Sequence, residues 1–247
     1  MDELRFDLTV DPGLEDIVSL ECRDRFAGAG IPVEAIPRPL DLPGHVELVT
    51  PGPEEEAGPL LSSLRGAYYA VKLYRTVELS GGDAPLEPLF DSLGTVKIPE
   101  FDAAQTFCVR CRRVGNHSFS SPSVEREVGA LLWYRSQKRV DLTAPECTVR
   151  VEVTGHIARI GVLCTDENLS RRYPWVWRPR VTLRTTIAYG MLRLGGLLEL
   201  PPGSRLYDPF CGSGTIPIEA ATLREDIEIV GSDYDEQAVA GARRNAE

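Results

Sequence analysis

The run Asp208-Pro-Phe-Cys-Gly-Ser-Gly-Thr215 limits the possible folds more than any other segment of this chain. It follows a short apolar stretch of strand character. It precedes a helix with Pro217 in its first turn, where a proline forfeits no hydrogen bond. Gly212 and Gly214 permit a tight strand-to-helix turn whose backbone can approach a ligand closely. A second strand-like run, residues 227–230, ends in Gly231-Ser232-Asp233. An acidic side chain at that strand end can accept hydrogen bonds from both hydroxyls of a ribose. Asp233 lies 21 residues after Gly212, close to the ~20 expected of a nucleoside-binding βαβ unit. Asp235 is expected to cap the helix that follows.

Three ligands compete for such a turn. A dinucleotide fold wants G-x-G-x-x-G, and Pro217 stands at the third glycine position. A P-loop needs Gly-Lys-Ser/Thr, and the turn has no lysine. The remaining reading is an S-adenosylmethionine site, with the acidic Asp208 four residues before Gly212. A plain glycine turn is the bland alternative, and the agreement of both strands, the helix and the acidic terminus argues against it.

Punctuation divides the 247 residues into three parts. Residues 1–100 read as a small α+β domain in the order strand, helix, strand, helix. A helix is expected over 14–26, a strand at 45–49, a solvated acidic loop around Glu54–Glu56, and a second helix over 60–79. Residues 101–178 hold a strand at 106–113 and a turn at 115–117. Ser120–Ser123 lead into a helix over 124–136. Two β-rich runs follow, separated only by Gly155-His156, as either a tight hairpin or a strand that ends and turns. Residues 179–247 open with a helix that is apolar at Ile187, Ala188, Met191, Leu192 and Leu194, and then carry the glycine turn.

Whole-chain charge misleads here. The net is −10, yet residues 101–180 carry 13 Lys/Arg against 8 Asp/Glu, while residues 1–100 carry 8 against 19. A basic middle between acidic ends is suited to releasing counterions from phosphates. The six cysteines are scattered, and no second pair accompanies Cys108 and Cys111, so neither a disulfide framework nor a metal site is expected. The N-terminal residues lack the pattern of a signal peptide, and no apolar run is long enough to span a bilayer. A cytoplasmic monomer is expected.

The segment DPFCGSGTIPIEAA resembles the cofactor motif of Rossmann-like methyltransferases acting on exocyclic amines of RNA and DNA. The middle part, FCVRCRRVGNHSFSSPSVEREVGALL with VDLTAPECTVRVEVTGHIARIGV, resembles a THUMP domain, an RNA-binding module. Together the chain resembles the tRNA guanine-N2 methyltransferases of bacteria and archaea. The resemblance implies an N-terminal ferredoxin-like α+β domain (1–100), a THUMP domain (101–178) and the first part of a Rossmann-like α/β methyltransferase domain (179–247). It implies S-adenosylmethionine held by Asp208, Phe210, Gly212, Gly214 and Thr215, with Asp233 on the ribose, and structured RNA, most of all tRNA, as partner. Family members also carry an Asn/Asp-Pro-Pro-Tyr/Phe loop that orients the target amine. This sequence has none, its one Pro-Pro lying at 201–202. The expectation is therefore a methylase domain cut short and inactive alone, or a non-catalytic RNA-binding protein with a methylase remnant. A DNA methylase shares the cofactor motif but not the THUMP-like middle.

For RNA, the expected contacts are Arg110, Arg112, Arg113 and His117 along one strand, Lys138 and Arg139 after the helix, and Arg171 and Arg172 near Trp175 and Trp177. The bland readings are solvated strand ends, and a linker whose tryptophans pack on a neighbouring domain.

Overall fold

A computed structural model describes residues 3–80, 85–165 and 168–247. Strand β1 (Leu4–Val10) alternates as a strand with one apolar face should: Phe6, Leu8 and Val10 are buried under helix α1 (Glu15–Gly28). It pairs antiparallel with β3 (His45–Thr50) on one side, which in turn carries the edge strand β2 (Glu34–Pro37).

Two expectations for the first part are corrected. The segment 60–79 is not a helix. Its last two-thirds form β4 (Ala67–Glu78), rich in tyrosine and β-branched residues, which fit a pleated surface. The acidic run is not a loop. It begins helix α2 (Glu54–Ser62), with three glutamates in the first turn where the helix dipole favours them, and Ala57 and Leu61 packed into the core.

Strand β4 is also where the first two parts meet. One edge pairs with β1, and the other pairs with β8 (Ile157–Leu163). The sheet continues through β7 (Cys147–Thr154) to β5 (Thr106–Val114) and the short β6 (Arg139–Val140), giving the order β2-β3-β1-β4-β8-β7-β5-β6. One sheet thus runs unbroken across the division expected at residue 100. Strands β7 and β8 form the tight hairpin, pairing Thr154 with Ile157 around Gly155 at φ +58°. Strands β5 and β7 are parallel, bridged by α5 (Ser121–Ser136). Ser120 caps that helix, and Val124, Val128 and Leu132 form its buried stripe. Helices α3 (Glu87–Thr95) and α4 (Pro99–Ala103) complete this second core.

The sheet curls strongly. His45 of β3 reaches Thr154 of β7 across its concave face, Nε2 to Oγ1 at 3.1 Å, while its Nδ1 meets the Asp7 carboxylate at 3.1 Å. Arg159 sits beside them, 2.6 Å from Asp7 and paired also with Glu47.

The third part is a βαβ unit. Strands β9 (Arg205–Asp208) and β10 (Glu228–Gly231) run parallel, joined by α7 (Thr215–Leu223). Helix α6 (Thr185–Leu194) packs on α7, and α8 (Glu236–Ala246) follows β10. The stripe that α6 buries is Thr185, Ala188, Tyr189 and Leu192. Met191 and Leu194 face out, while Tyr189 packs toward Gly66 and α1. Among the described residues, no helix is long and apolar enough to cross a membrane.

Candidate functional site

The glycine turn lies at the C-terminal ends of β9 and β10, where open parallel sheets place their ligands. Its shape is set by short backbone bonds. Gly214 N–H donates to Cys211 C=O at 2.7 Å, and Cys211 N–H donates to Ser232 C=O at 2.9 Å, tying the turn to the end of β10. Gly212 and Gly214 adopt φ of +53° and +83°, a region costly for a residue with a Cβ. Above Gly212 the space is open, whereas a Cβ on Gly214 would press on Ala242 and Ile218 at 3.3 Å. One glycine is therefore needed for the approach of a ligand and the other for packing.

Two carboxylates flank the turn. Asp208 accepts a hydrogen bond from Phe210 N–H at 3.0 Å. Asp233 accepts from Asp235 N–H at 3.0 Å and from Gly212 N–H at 2.9 Å. Those backbone donors, Asp235 first and then Gly212, hold the Asp233 carboxyl below its ordinary range, so it is an anion at neutral pH. The two ends of the sequence motif are joined directly by this contact. Thr215 is buried at the start of α7, its hydroxyl 3.2 Å from that of Ser213. Phe210 and Tyr234 leave their rings 81% and 97% exposed beside the two carboxylates. Open space over a positive-φ glycine, an anionic acceptor at the second strand end and uncovered aromatic faces fit a nucleoside-bearing ligand such as S-adenosylmethionine. Tyr234 was missed in the sequence, where it reads only as one polar-loop residue among several.

The basic candidates are dispersed. Arg112 and Arg171 line a cleft of about 520 Å³ whose far wall is Ser213 and Thr215 of the glycine turn. Arg110, bonded to Leu142 C=O at 2.7 Å, and Arg139, paired with Asp141 at 3.3 Å, lie at the outer edge of the sheet near the half-exposed Trp133. Arg113 and His117 are turned to structure. Arg113 donates to Gly115 C=O and to His117 Nδ1, and His117 Nε2 donates to Gly155 C=O at 2.6 Å, pinning the 115–117 turn to the hairpin. Lys138 caps α4, reaching the carbonyls of Asp102 and Ala104.

Arg172 is turned inward as well, and the expected phosphate contact is replaced by a clamp. Glu219 of α7 is fully buried. It takes Arg65 at 2.7 Å, Arg172 at 3.1 Å and the Tyr173 hydroxyl at 2.7 Å. Trp177 packs on α8 at Gly241, where a Cβ would fall 2.2 Å from its ring. Asn245 accepts from the N–H groups of Val176 and Trp177 and donates to the carbonyls of Trp177 and Ser213. A second clamp joins β1 to the linker, with Asp11 accepting from Tyr68, Arg184 and Thr186. Sequence reasoning missed both clamps. The available signal for the first was a glutamate in the otherwise apolar helix TIPIEAATL, which demands a cationic partner.

Comparison with known proteins agrees with this architecture. Residues 176–247 match the family model described as "RMKL-like, methyltransferase domain", and residues 84–163 match the THUMP domain. The chain is 38% identical over 239 residues to a tRNA (guanine(6)-N2)-methyltransferase of Thermus thermophilus, covering 96% of this chain and 67% of the relative. It is 30% identical to the protein of the same name from Archaeoglobus fulgidus, covering 91% of this chain and 55% of that one. The crystal structure of TrmN from Thermus thermophilus superposes with a TM-score of 0.72 at 36% identity, covering 98% of this chain and 69% of that one.

Proposed function

This chain belongs to the tRNA guanine-N2 methyltransferase family, and from that membership we propose that it serves S-adenosylmethionine-dependent methylation of guanine N2 in tRNA, at guanine 6 as in the names of the Thermus and Archaeoglobus relatives. Asp208, Phe210, Gly212, Gly214 and Thr215 cradle the cofactor, and Asp233 holds its ribose hydroxyls. The THUMP-bearing sheet docks the RNA. When bound, the cofactor supplies an electrophilic methyl group. What these residues add is placement, because an exocyclic amine held in line and close to that methyl reacts as if at very high local concentration.

The observation that carries the reading is the contact from Gly212 N–H to Asp233 at 2.9 Å. It fixes an anionic acceptor at the end of the second parallel strand, beside a glycine with open space above it. The sequence contains no Asn/Asp-Pro-Pro-Tyr/Phe motif, so the reading is tested on binding. Titration calorimetry is expected to show S-adenosylmethionine binding that Asp233→Ala weakens by roughly tenfold, the scale of one lost charge-assisted hydrogen bond, with tRNA affinity unchanged. Equal cofactor affinity in wild type and variant would remove Asp233 from the site. Binding of tRNA with no cofactor binding at all would favour the non-catalytic RNA-binding reading.

A further inference from the structure

Residues 168–185 join the sheet to α6, and their side chains divide between two faces. Arg172 and Tyr173 turn to Glu219, the backbone at 176–177 is held by Asn245, and Thr185 donates back to Ser170 C=O at 2.8 Å. Arg171, Trp175 and Arg178 take the opposite side and line the cleft beside the glycine turn. The segment is therefore fastened along one face and presents charge and an aromatic ring on the other.

Four guanidinium groups line that cleft, and they are not equivalent. Arg184 is paired with Asp11 at 2.5 Å, and Arg112 lies 3.8 Å from Glu152. Among the described residues, Arg171 and Arg178 have no carboxylate within ion-pair distance, although their segment is held rigidly. Arg178 lies over the Trp175 ring at 5.2 Å, which keeps its guanidinium at the cleft rim. A cleft of about 520 Å³ is large enough for a nucleotide.

Two cations without a carboxylate partner among the described residues, on a segment fastened along one face and next to a tryptophan, call for a ligand that repeats anion and flat ring together. A single nucleic-acid strand has that chemistry. Resting on the tRNA reading above, we propose that this cleft is the subsite for an unpaired stretch of the RNA at its approach to the glycine turn, with Arg171 and Arg178 holding its phosphates and Trp175 a base. The competing anion is the carboxylate of the cofactor's methionine portion, and the test separates the two.

The measurement is binding of a labelled tRNA transcript by fluorescence anisotropy across a salt series, with cofactor affinity followed in parallel by calorimetry. R171A/R178A is expected to lose roughly tenfold in tRNA affinity and to lower the salt slope by about 1.4, two single-strand phosphate contacts. R171K/R178K should restore the slope, since charge rather than shape sets it. Trp175→Ala should weaken binding with the slope unchanged, and Arg205→Ala, which removes one exposed charge at the N-terminal end of β9, away from the glycine turn, should leave affinity and slope as they are. Unaltered affinity and slope in R171A/R178A would overturn the assignment. So would weakened cofactor binding with tRNA binding intact, which would give the arginines to the cofactor. Failure of the wild-type protein to bind tRNA would overturn the tRNA reading itself, and this subsite with it.

Discussion

Two of the buried clusters that pair arginine with carboxylate in this protein lie in different surroundings. Inside the curled sheet, the Arg159 side chain is 2% exposed and Asp7 1%, with Glu47 and His45 closing the group. Between the sheet and the methylase part, Glu219 is fully buried, but Arg65 and Arg172 keep 17% and 16% exposure. All members of the first cluster sit on strands already aligned by ladder hydrogen bonds. The second draws its members from three separate stretches of chain. Buried ion pairs add little net stability over apolar packing, and their importance shows when one partner is removed. The first cluster thus makes the curl of the sheet specific, and the second fixes how two modules sit on one another.

The largest expected effect comes from breaking the first cluster on one side. Arg159→Met keeps the volume but leaves Asp7 and Glu47 buried without their cation, and should cost about 3–5 kcal/mol in urea unfolding. Replacing all three residues by apolar ones of similar volume should recover most of that loss. A mild effect of the single change would mean that water reaches the concave face.

Glu219→Gln sharpens the contrast. Its arginines keep some access to water, so the loss should be smaller, about 1–3 kcal/mol. It should fall on the docking of modules and not on the sheet. The expected signature is that one cooperative transition separates into two. A single transition merely shifted to lower urea would mean that the clamp is not what joins them.

The same contrast explains what could be read from the sequence. Helix α5 carries its own periodicity and cap, helix α1 and strand β5 their own periodicity and flanking glycines, and the glycine turn carries its own chemistry, so each was legible from nearby residues. Strand β4 was not. Tyr68, Tyr69 and Tyr74 by themselves fix neither a helix nor a strand, and pairing with β1 and β8 decides for the strand. Arg172 looked like a phosphate ligand because its partner lies 47 residues away on α7. His45 has no partner nearby in the sequence, and the curl of the sheet brings it to Thr154, 109 residues on. Charges whose meaning depends on a distant carboxylate cannot be sorted from local sequence, and both clusters are of that kind.

The smallest expected effect concerns pH and lies within the first region. Burial by itself would push the Asp7 carboxyl up, but His45 and Arg159 overcome this and hold it below its ordinary value of 3.8. Its contribution to stability is therefore present above 3.8 and lost as pH falls through the lower folded value. Glu152, on the neighbouring strand β7, goes the other way. It is 2% exposed, its Oε2 has no hydrogen-bond partner, and burial raises its carboxyl above 4.5 in spite of Arg150 at 2.6 Å. Stability associated with Glu152 is complete below 4.5 and declines as pH rises through its folded value. Urea midpoints across mildly acidic to neutral pH should therefore fall gently on the alkaline side in the wild type. Glu152→Gln should flatten that arm and leave the acid arm set by Asp7 in place. An alkaline arm unchanged in Glu152→Gln would show that Arg112 or Arg150 neutralises this carboxylate fully.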